Sequence, residues 1–222
     1  MNDYEELLKL HRRNLHMIPE LDRDLPETKK YLLSVLEQLN CKMTFLCGSG
    51  ICAYFDKGQK ETYGFRADMD GLPVQEANTC DYRSIHENRM HACGHDGHMA
   101  NLLTFAQWLS EHRASLRDDV VLLFQPAEET IGGAKNMYAV ANVFGIQEGA
   151  LENPHVEVVY GMHMMPDVPI GRISACAGPM MAQTCEMDIV IHGLASHGAM
   201  PHLGRDAVMA MAHLLTLLQT TV

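Results

Sequence analysis

Hydrophobic and polar positions follow a helical period in four stretches of the chain before residue 182. Apolar residues recur three and four positions apart in residues 3–16 and again at about 27–40, which predicts two amphipathic helices. A third helix is predicted at about 97–112, and a shorter one within residues 132–145. Each of these helices has one apolar face to bury against other elements.

Between these helices the pattern is that of β-strands. Residues 43–68 contain two strand-like runs on either side of the turn sequence DKGQ, residues 56–59, which predicts a hairpin. Continuous apolar runs at about 120–126 and 156–164 are typical of strands buried on both faces. Strands that alternate with helices in this way predict an α/β fold, in which a sheet carries helices on both faces.

The pattern changes near residue 182. Residues 184–193 alternate polar and apolar positions, as a half-exposed antiparallel strand does, and residues 204–222 have the pattern of an amphipathic helix. We therefore expect one domain over residues 1–181 and the first strand and helix of a smaller domain over residues 182–222.

Composition and charge exclude several classes of function. The chain has 17 Lys and Arg against 28 Asp and Glu, a formal charge of −11, and no run rich in basic residues. Such a surface argues against binding to nucleic acid or to an anionic membrane. No apolar run approaches the roughly 20 residues of a membrane-spanning helix. A hydrophobic content of 47% is that of a folded globular protein.

The compartment is predicted from the cysteines and the N-terminus. Seven cysteines form an odd set without regular spacing, which is typical of reduced thiols and not of a disulfide framework. The first residues, MNDYEELLKLHRRN, lack the basic patch and apolar core of a signal peptide. We therefore expect a cytoplasmic protein.

Three groups of residues carry the chemistry of a metal site. In the run HACGHDGH, Cys93 and His95 stand two residues apart before a helix, and Asp96 could orient an imidazole. Glu128 and Glu129 follow a buried strand, where one could bind a metal and the other act as a base. Considered alone, the first group could be a histidine-rich surface loop and the second two solvated acids.

The third group consists of Asp68, Asp70 and His163, which also follow predicted strands. Considered alone, the two aspartates could belong to a turn before Pro73, and His163 could be a polar group that is satisfied within the fold. Since ligand sites in open α/β sheets lie at the carboxyl ends of the strands, we expect all three groups to converge. Their ligands exceed what one catalytic zinc ion needs, which indicates two metal ions about 3.5–4 Å apart. The residue types suit Zn²⁺ or Mn²⁺, and also Co²⁺ or Ni²⁺.

A further histidine lies in the smaller domain. His197, in the run HGLASHGAMPH, could be part of a surface turn, or it could donate a hydrogen bond to a developing oxyanion.

In this order, the segments FRADMDGLPV, MHACGHDGHMA, VVLLFQPAEE, YGMHMMPDVPIG and HGLASHGAMPHLGRDAV resemble a known family. They are similar to the aminoacylase/carboxypeptidase-type dinuclear metallopeptidases, in particular to the amidohydrolase branch with hippurate hydrolases, auxin-conjugate hydrolases and N-acetyldiaminopimelate deacetylases. The resemblance covers essentially the whole chain.

The resemblance implies a role for each candidate residue. Metal ligands would be Cys93, His95, Glu129 and His163, and Glu128 would be the general base. His197 would match the histidine of the lid domain that completes the partner's active site in dimeric relatives. Asp68 and Asp70 would support the site without binding metal.

The resemblance also implies the architecture and the activity. The fold would be a zinc-peptidase-like three-layer sheet with the start of a ferredoxin-like lid, and the longer family chains would form homodimers through that lid. The activity would be hydrolysis of N-acyl amino acids by a metal-bound hydroxide. A dipeptidase or carboxypeptidase of the same family is the alternative. A non-catalytic metal-binding remnant is a second alternative, because the family's last histidine ligand would lie beyond residue 222.

Overall fold

The computed structural model describes residues 3–59, 61–130, 132–138, 141–143, 146–148, 150–151, 154–182 and 187–220. These residues belong to two compact units, residues 1–167 and residues 168–222. The division falls earlier in the chain than the boundary expected after residue 181.

The first unit contains four α-helices, one short 3₁₀ helix (Arg113–Ser115) and seven strands within the described residues. The helices are α1 (Asp3–His16), α2 (Pro26–Leu36), α3 (His95–Glu111) and α4 (Gly133–Tyr138). The strands are β1 (Lys42–Leu46), β2 (Gly50–Phe55), β3 (Thr62–Asp68), β4 (Asp119–Gln125), β5 (Ala141–Val143), β6 (Ile146–Glu148) and β7 (Val158–Gly161).

Five of these strands form one mixed sheet in the order β1-β2-β4-β3-β7. Strand β3 pairs in parallel with β4 on one side and with β7 on the other, whereas β1 and β2 are antiparallel to their neighbours. The α/β prediction is therefore confirmed, with an antiparallel pair added at one edge of the sheet.

The sheet is covered on both faces, so the unit has three layers. One apolar cluster joins alternate residues of β2 and β4, such as Ile51 and Leu122, to the buried faces of α1, α2 and α3. The intervening residues, such as Cys52 and Leu123, face a second cluster that includes Met137 of α4. Because side chains along a strand alternate between faces, the continuous apolar run of β4 supplies both clusters.

The hairpin predicted around residues 56–59 is wrong. Strands β2 and β3 both pair with β4, which lies between them, so the DKGQ segment crosses the end of β4. The buried carboxylate of Asp119 holds this segment by accepting the backbone N–H groups of Lys57 and Gln59. The hairpin of the structure is instead β1–β2, whose turn contains Cys47 with φ of 50°.

Three other elements differ from their predictions. Helix α2 ends at Leu36 instead of continuing to residue 40. The predicted helix within 132–145 is confined to α4, and the pair β5–β6 follows it. Strand β7 is exposed, with Tyr160 at 51%, because it lies at the edge of the sheet and has one strand neighbour in the described chain.

The second unit contains helix α5 (Ala207–Gln219), whose N-terminus is capped by the side chain of Asp206. This confirms the core of the predicted helix at 204–222. The predicted strand at 184–193 is not formed by residues 187–193, and residues 184–186 lie outside the described residues. An isolated bridge between Leu194 and Arg205 is the β-pairing recorded for the described part of this unit.

The six cysteines of the described chain are free thiols, and Cys185 lies outside the described residues. Among the described helices, none combines the length and the apolar character that crossing a membrane requires.

Candidate metal centre

The candidate residues lie at one edge of the sheet. Strands β4, β3 and β7 are parallel neighbours, so their carboxyl ends open on the same side of the unit. The residues that follow these ends are Asp70 after β3, Glu128 and Glu129 after β4, and His163 after β7. The expected convergence is therefore present in the structure.

Helix α3 brings the fourth segment to this edge. Gly94, with φ of 92°, adopts a left-handed conformation that favours glycine and turns the chain between Cys93 and His95. His95 is the first residue of α3 and is 1% exposed, whereas Cys93 is only partly buried. The turn thus directs a buried imidazole and an accessible thiol into the same space.

His95 presents an unpaired ring nitrogen to a group of carboxylates. Its Nδ1–H donates to the backbone carbonyl of Asp70 at 2.7 Å, which leaves the lone pair on Nε2. This Nε2 is buried and has no hydrogen-bond partner among the described residues. It lies 3.6 Å from Asp68 Oδ2, 3.8 Å from Glu128 Oε2 and 3.7 Å from Glu129 Oε1. A lone pair surrounded by carboxylates fits a cation placed between them.

His163 has the same tautomer as His95. Its Nδ1–H donates to the backbone carbonyl of Met164 at 2.7 Å, and its Nε2 lies 3.4 Å from Cys93 Sγ. The possible ligand atoms of Cys93, His95 and His163 all lie within 4.8 Å of one another. Two imidazoles whose Nε2 atoms carry the lone pair and a thiol form a donor set that suits a borderline-soft divalent metal.

Asp70 fixes the loop that carries the two glutamates. Its carboxylate accepts the backbone N–H of Glu128 at 2.9 Å through Oδ1 and that of Glu129 at 3.0 Å through Oδ2. Ala127, with φ of 56°, makes the turn that points these amides at Asp70. Burial raises the pKa of Asp70, but both oxygens accept N–H groups, so the arrangement fits the ionised carboxylate.

The site has an excess of negative charge. Burial, reinforced by Glu129 and Glu128, raises the pKa of Cys93 to about 11. Burial also raises the pKa of Glu129, and the neighbouring Glu128 adds to this effect. A divalent cation would reverse both shifts, because it stabilises the thiolate and the carboxylate.

Sequence reasoning missed one residue of this region, His98, which lies one turn after His95 on α3. Its Nδ1 is 2.6 Å from Asp68 Oδ1, and its Nε2 accepts the backbone N–H of Met164 at 2.9 Å. Burial alone would raise the pKa of Asp68, but the hydrogen bond from His98, with His95 and Arg66, lowers it to about 2. The i, i+3 spacing of His95 and His98 places both rings on one face of α3, and this spacing could have identified His98 from the sequence.

The expectation that Asp96 orients an imidazole of the site is wrong. Asp96 lies in the first turn of α3 and faces α1, where its Oδ2 pairs with His16 Nδ1 at 2.8 Å and with Arg12 Nε at 3.0 Å. His16 also reaches the buried Glu76 at 3.1 Å. The imidazoles of His95 and His163 are instead oriented by the backbone carbonyls of Asp70 and Met164. The carboxylate of Asp68 orients the neighbouring His98.

His197 belongs to the second unit, within residues 168–222. Its Nδ1 accepts the backbone N–H of Ala199 at 3.1 Å, so the neutral ring carries its proton on Nε2. The ring can therefore donate one hydrogen bond to a group outside its own turn.

The sequence matches the profile of Peptidase family M20/M25/M40 over residues 64–218, and the chain belongs to this family. It is 40% identical to an N-acetyldiaminopimelate deacetylase of Leuconostoc mesenteroides subsp. mesenteroides. That alignment covers 98% of this chain and 56% of the relative. The chain thus spans about half the length of the curated relatives it matches.

Two solved structures share the fold. One, described as a proposed aminohydrolase from methicillin-resistant Staphylococcus aureus, is 32% identical with a TM-score of 0.80 and covers 98% of this chain and 56% of its own. The other is the YXEP protein of Bacillus subtilis, described as a dinuclear metal binding peptidase from the M20 family. It is 33% identical with a TM-score of 0.66, and the match covers 77% of this chain and 46% of that one.

Proposed function

We propose that the protein is a metal-dependent amidohydrolase that removes the acyl group from an N-acyl amino acid. The observation that carries this proposal is the bare Nε2 of His95, buried without a hydrogen-bond partner in the described chain and facing three carboxylates. A purely structural role for His95 would leave this lone pair and the surrounding acids without compensation.

The proposed ligands of two divalent ions are Cys93, His95, Glu129 and His163. Zn²⁺ and Mn²⁺ are the first candidates, and Co²⁺ and Ni²⁺ also suit these donors. The dinuclear description of the B. subtilis relative supports two ions. Such ions supply Lewis acidity and lower the pKa of a bound water.

Glu128 is proposed as the general base because it is more accessible than its neighbour. Its side chain is 40% exposed against 23% for Glu129, and its Oε2 lies 3.8 Å from His95 Nε2. Glu128 would take the proton of the attacking water as the bond to the acyl carbon forms. It would then pass this proton to the leaving amine as the C–N bond breaks, which gives a carboxylic acid and a free amino acid.

His197 is proposed as the hydrogen-bond donor to the oxyanion of the tetrahedral intermediate. The proton on its Nε2 supports this role, since its Nδ1 is already an acceptor. The proposed domains are a catalytic domain over residues 1–181 and a lid over residues 182–222. The lid would begin a ferredoxin-like fold, through which the whole protein would form a homodimer.

The proposed substrates are small N-acyl amino acids. The 40% identity to an N-acetyldiaminopimelate deacetylase supports this class. A cytoplasmic location fits such a substrate and the free thiols of the described chain. Nucleic acids and membranes are not proposed as partners, given the formal charge of −11.

The test combines metal analysis with a substitution in the full-length protein. We expect two equivalents of metal per chain by elemental analysis, and a loss of roughly 10²–10⁴-fold in the rate of N-acyl amino acid hydrolysis for Glu128→Gln. Glu37→Gln, at an exposed position after α2, is the matched control and should keep the wild-type rate.

Three results would contradict the proposal. Full activity of Glu128→Gln with metal bound would exclude Glu128 as the base. Faster cleavage of dipeptides than of N-acetyl or N-benzoyl amino acids would favour the peptidase alternative. Absence of bound metal in the purified full-length protein would favour the non-catalytic alternative.

A further inference from the structure

His98 lies beside the candidate metal ligands but makes different contacts from theirs. Its ring is buried, at 3% exposed, and packs edge-on against His163 with the ring centres 4.7 Å apart. Both of its nitrogens are engaged, Nδ1 with Asp68 and Nε2 with the backbone N–H of Met164. The donor atoms of His98, Asp68 and His95 also lie within 4.8 Å of one another. Both nitrogens of His98 are already hydrogen-bonded, however, so it is less suited to bind a metal than His95, whose Nε2 has no partner among the described residues.

The two contacts of His98 determine where its proton lies. The backbone N–H of Met164 can only donate, so Nε2 must carry the lone pair and Nδ1 the proton. Asp68, at 2.6 Å, accepts that proton's hydrogen bond through Oδ1. The other oxygen of Asp68 accepts from Arg66 Nη1 at 2.8 Å, so the carboxylate is held in one orientation.

Met164 transmits this arrangement to His163. The backbone N–H of Met164 is fixed by His98, and its carbonyl accepts the Nδ1–H of His163 at 2.7 Å. The Met164 side chain also rests on the start of α3, where a Cβ on Gly94 would meet it at 3.2 Å and one on Gly97 at 3.1 Å. The orientation of the His163 ring therefore depends on how Met164 packs against α3.

We propose that His98 is a positioning residue. Asp68 holds its ring in the Nδ1–H tautomer, so that its Nε2 accepts the backbone N–H of Met164, and Met164 in turn keeps the ring of His163 oriented toward Cys93. This inference rests on the proposed function, because it takes His163 and Cys93 as metal ligands. The assembly links β3, α3 and the loop after β7 through side chains that do not touch the metal. Groups of this kind, placed behind the ligands, are worth roughly 10–100-fold in metal affinity.

The experiment uses Co²⁺ as the probe and two substitutions of His98 in the full-length protein. His98→Phe keeps the ring volume and removes the acceptor, whereas the Oε1 of His98→Gln can still accept the N–H of Met164. For His98→Phe we expect Co²⁺ affinity to fall roughly 10–100-fold, with loss of the thiolate-to-Co²⁺ absorption band of Cys93. His98→Gln should recover most of the affinity and the band.

A third variant tests the tautomer directly. In Asp68→Asn, Arg66 would keep the amide oxygen as its acceptor, so the amide NH₂ would face His98 Nδ1 and move the ring proton to Nε2. We expect two-bond ¹H–¹⁵N NMR correlations of the metal-free protein to show Nδ1–H in the wild type and Nε2–H in Asp68→Asn. Co²⁺ affinity should fall in that variant as well. His155→Gln, which changes an exposed histidine, is the matched control.

The possible failures can be told apart. If His98→Phe bound Co²⁺ with wild-type affinity and an unchanged band, or if the wild-type ring carried its proton on Nε2, the role of His98 would be excluded. If the wild-type protein bound no Co²⁺ at all, the metal site of the proposed function would fail and this role with it. Should His98→Phe not fold, His98→Gln and Asp68→Asn are compared instead. Weaker Co²⁺ affinity in Asp68→Asn than in His98→Gln would support the role of His98, and wild-type affinity in Asp68→Asn would exclude it.

Discussion

The carboxylate of Asp70 accepts the backbone N–H of Glu128 at 2.9 Å, across 58 residues of sequence. Because its second oxygen accepts the next N–H at 3.0 Å, one buried side chain fixes both glutamates of the candidate site. Its own backbone carbonyl orients His95. Asp70 thus connects two segments of the metal centre without lying among the proposed ligands.

Replacing Asp70 with Asn should damage this connection. The amide has one oxygen, so at least one of the two N–H groups would face its NH₂ group unpaired. An unsatisfied buried donor costs about 1–3 kcal/mol, and because these N–H groups are partly buried we expect the loss of unfolding free energy to lie toward the lower end of that range. We expect that loss in urea unfolding, together with a roughly 10–100-fold weaker metal affinity by titration. Asp24→Asn, at an exposed position, serves as the control, and wild-type values for Asp70→Asn would refute the role of Asp70.

Gly94 offers a test of the turn before α3. With φ of 92°, alanine there should cost about 1–2 kcal/mol in backbone strain, and its Cβ would also press on Met164. Gly58→Ala is the matched control, since Gly58 also has a positive φ, 77°, and a Cβ there would meet nothing within 4 Å.

The two alanine variants should therefore differ in metal binding. Both should lower the unfolding free energy, measured in denaturant, but Gly94→Ala alone should weaken metal affinity in a titration, because it displaces Met164 and with it His163. Equal metal affinities for the two variants would show that the packing of Met164 against α3 has no influence on the candidate site.

The pair of His16 and Asp96 should make stability depend on pH. The hydrogen bond to Asp96 raises the pKa of His16 above its ordinary value of 6.5, against the opposing effect of burial, and Glu76 adds to the increase. A group with a raised folded-state pKa stabilises the protein fully below the unfolded value. It loses that contribution as the pH rises through the folded value.

We therefore expect the unfolding free energy of the metal-free wild type, relative to His16→Gln, to be largest below pH 6.5 and to decline above it. The slope is at most about 1.4 kcal/mol per pH unit for one proton. Denaturant unfolding at a series of pH values in the presence of a chelator measures it. A difference between the two proteins that stays constant from below to above that pH would contradict the ion pair.

Metal removal should destabilise the protein. Because the buried Nε2 of His95 and the facing carboxylates are uncompensated without a cation, a bound ion should stabilise the folded state. At a free concentration of 100 times Kd, the gain is about 2.7 kcal/mol. Thermal unfolding with Zn²⁺ or Mn²⁺ and with a chelator measures this, and Cys93→Ala should show a smaller shift. An unchanged midpoint would argue against a metal at this site.

Much of the site could be predicted from sequence because its residues follow elements with clear patterns. The apolar run of β4 and the helical period of α3 fix where Glu128 and His95 emerge, and parallel strands bring their ends together. The partners of Asp68 and Asp96 could not be predicted in the same way. They depend on which face of α3 meets β3 and which meets α1, a tertiary relationship that no local spacing contains.

The errors in the fold have a related cause. Residues 56–59 look like the turn of a hairpin because turn residues stand between two strand patterns. Strand order also depends on whether another strand of the chain lies between those two strands in the sheet. Here β4 lies between β2 and β3 and contributes apolar residues to both faces of the sheet, a placement that the local turn sequence does not contain. Likewise, the apolar residues of β7 do not indicate that it has one strand neighbour within the described chain.

The ion pairs of Arg12 and His16 with Asp96 redefine where the folding unit begins. The family profile matches from residue 64, yet helix α1 lies before that point and supplies the cations for a buried acid adjacent to His95. A protein trimmed to the matched segment would lose strands β1 and β2 and leave Asp96 a buried, uncompensated charge, which costs about 3–5 kcal/mol. Helix α1 thus supplies the charges that compensate Asp96 beside the candidate metal centre, and the segment matched by the family profile is smaller than the unit in which these ion pairs form.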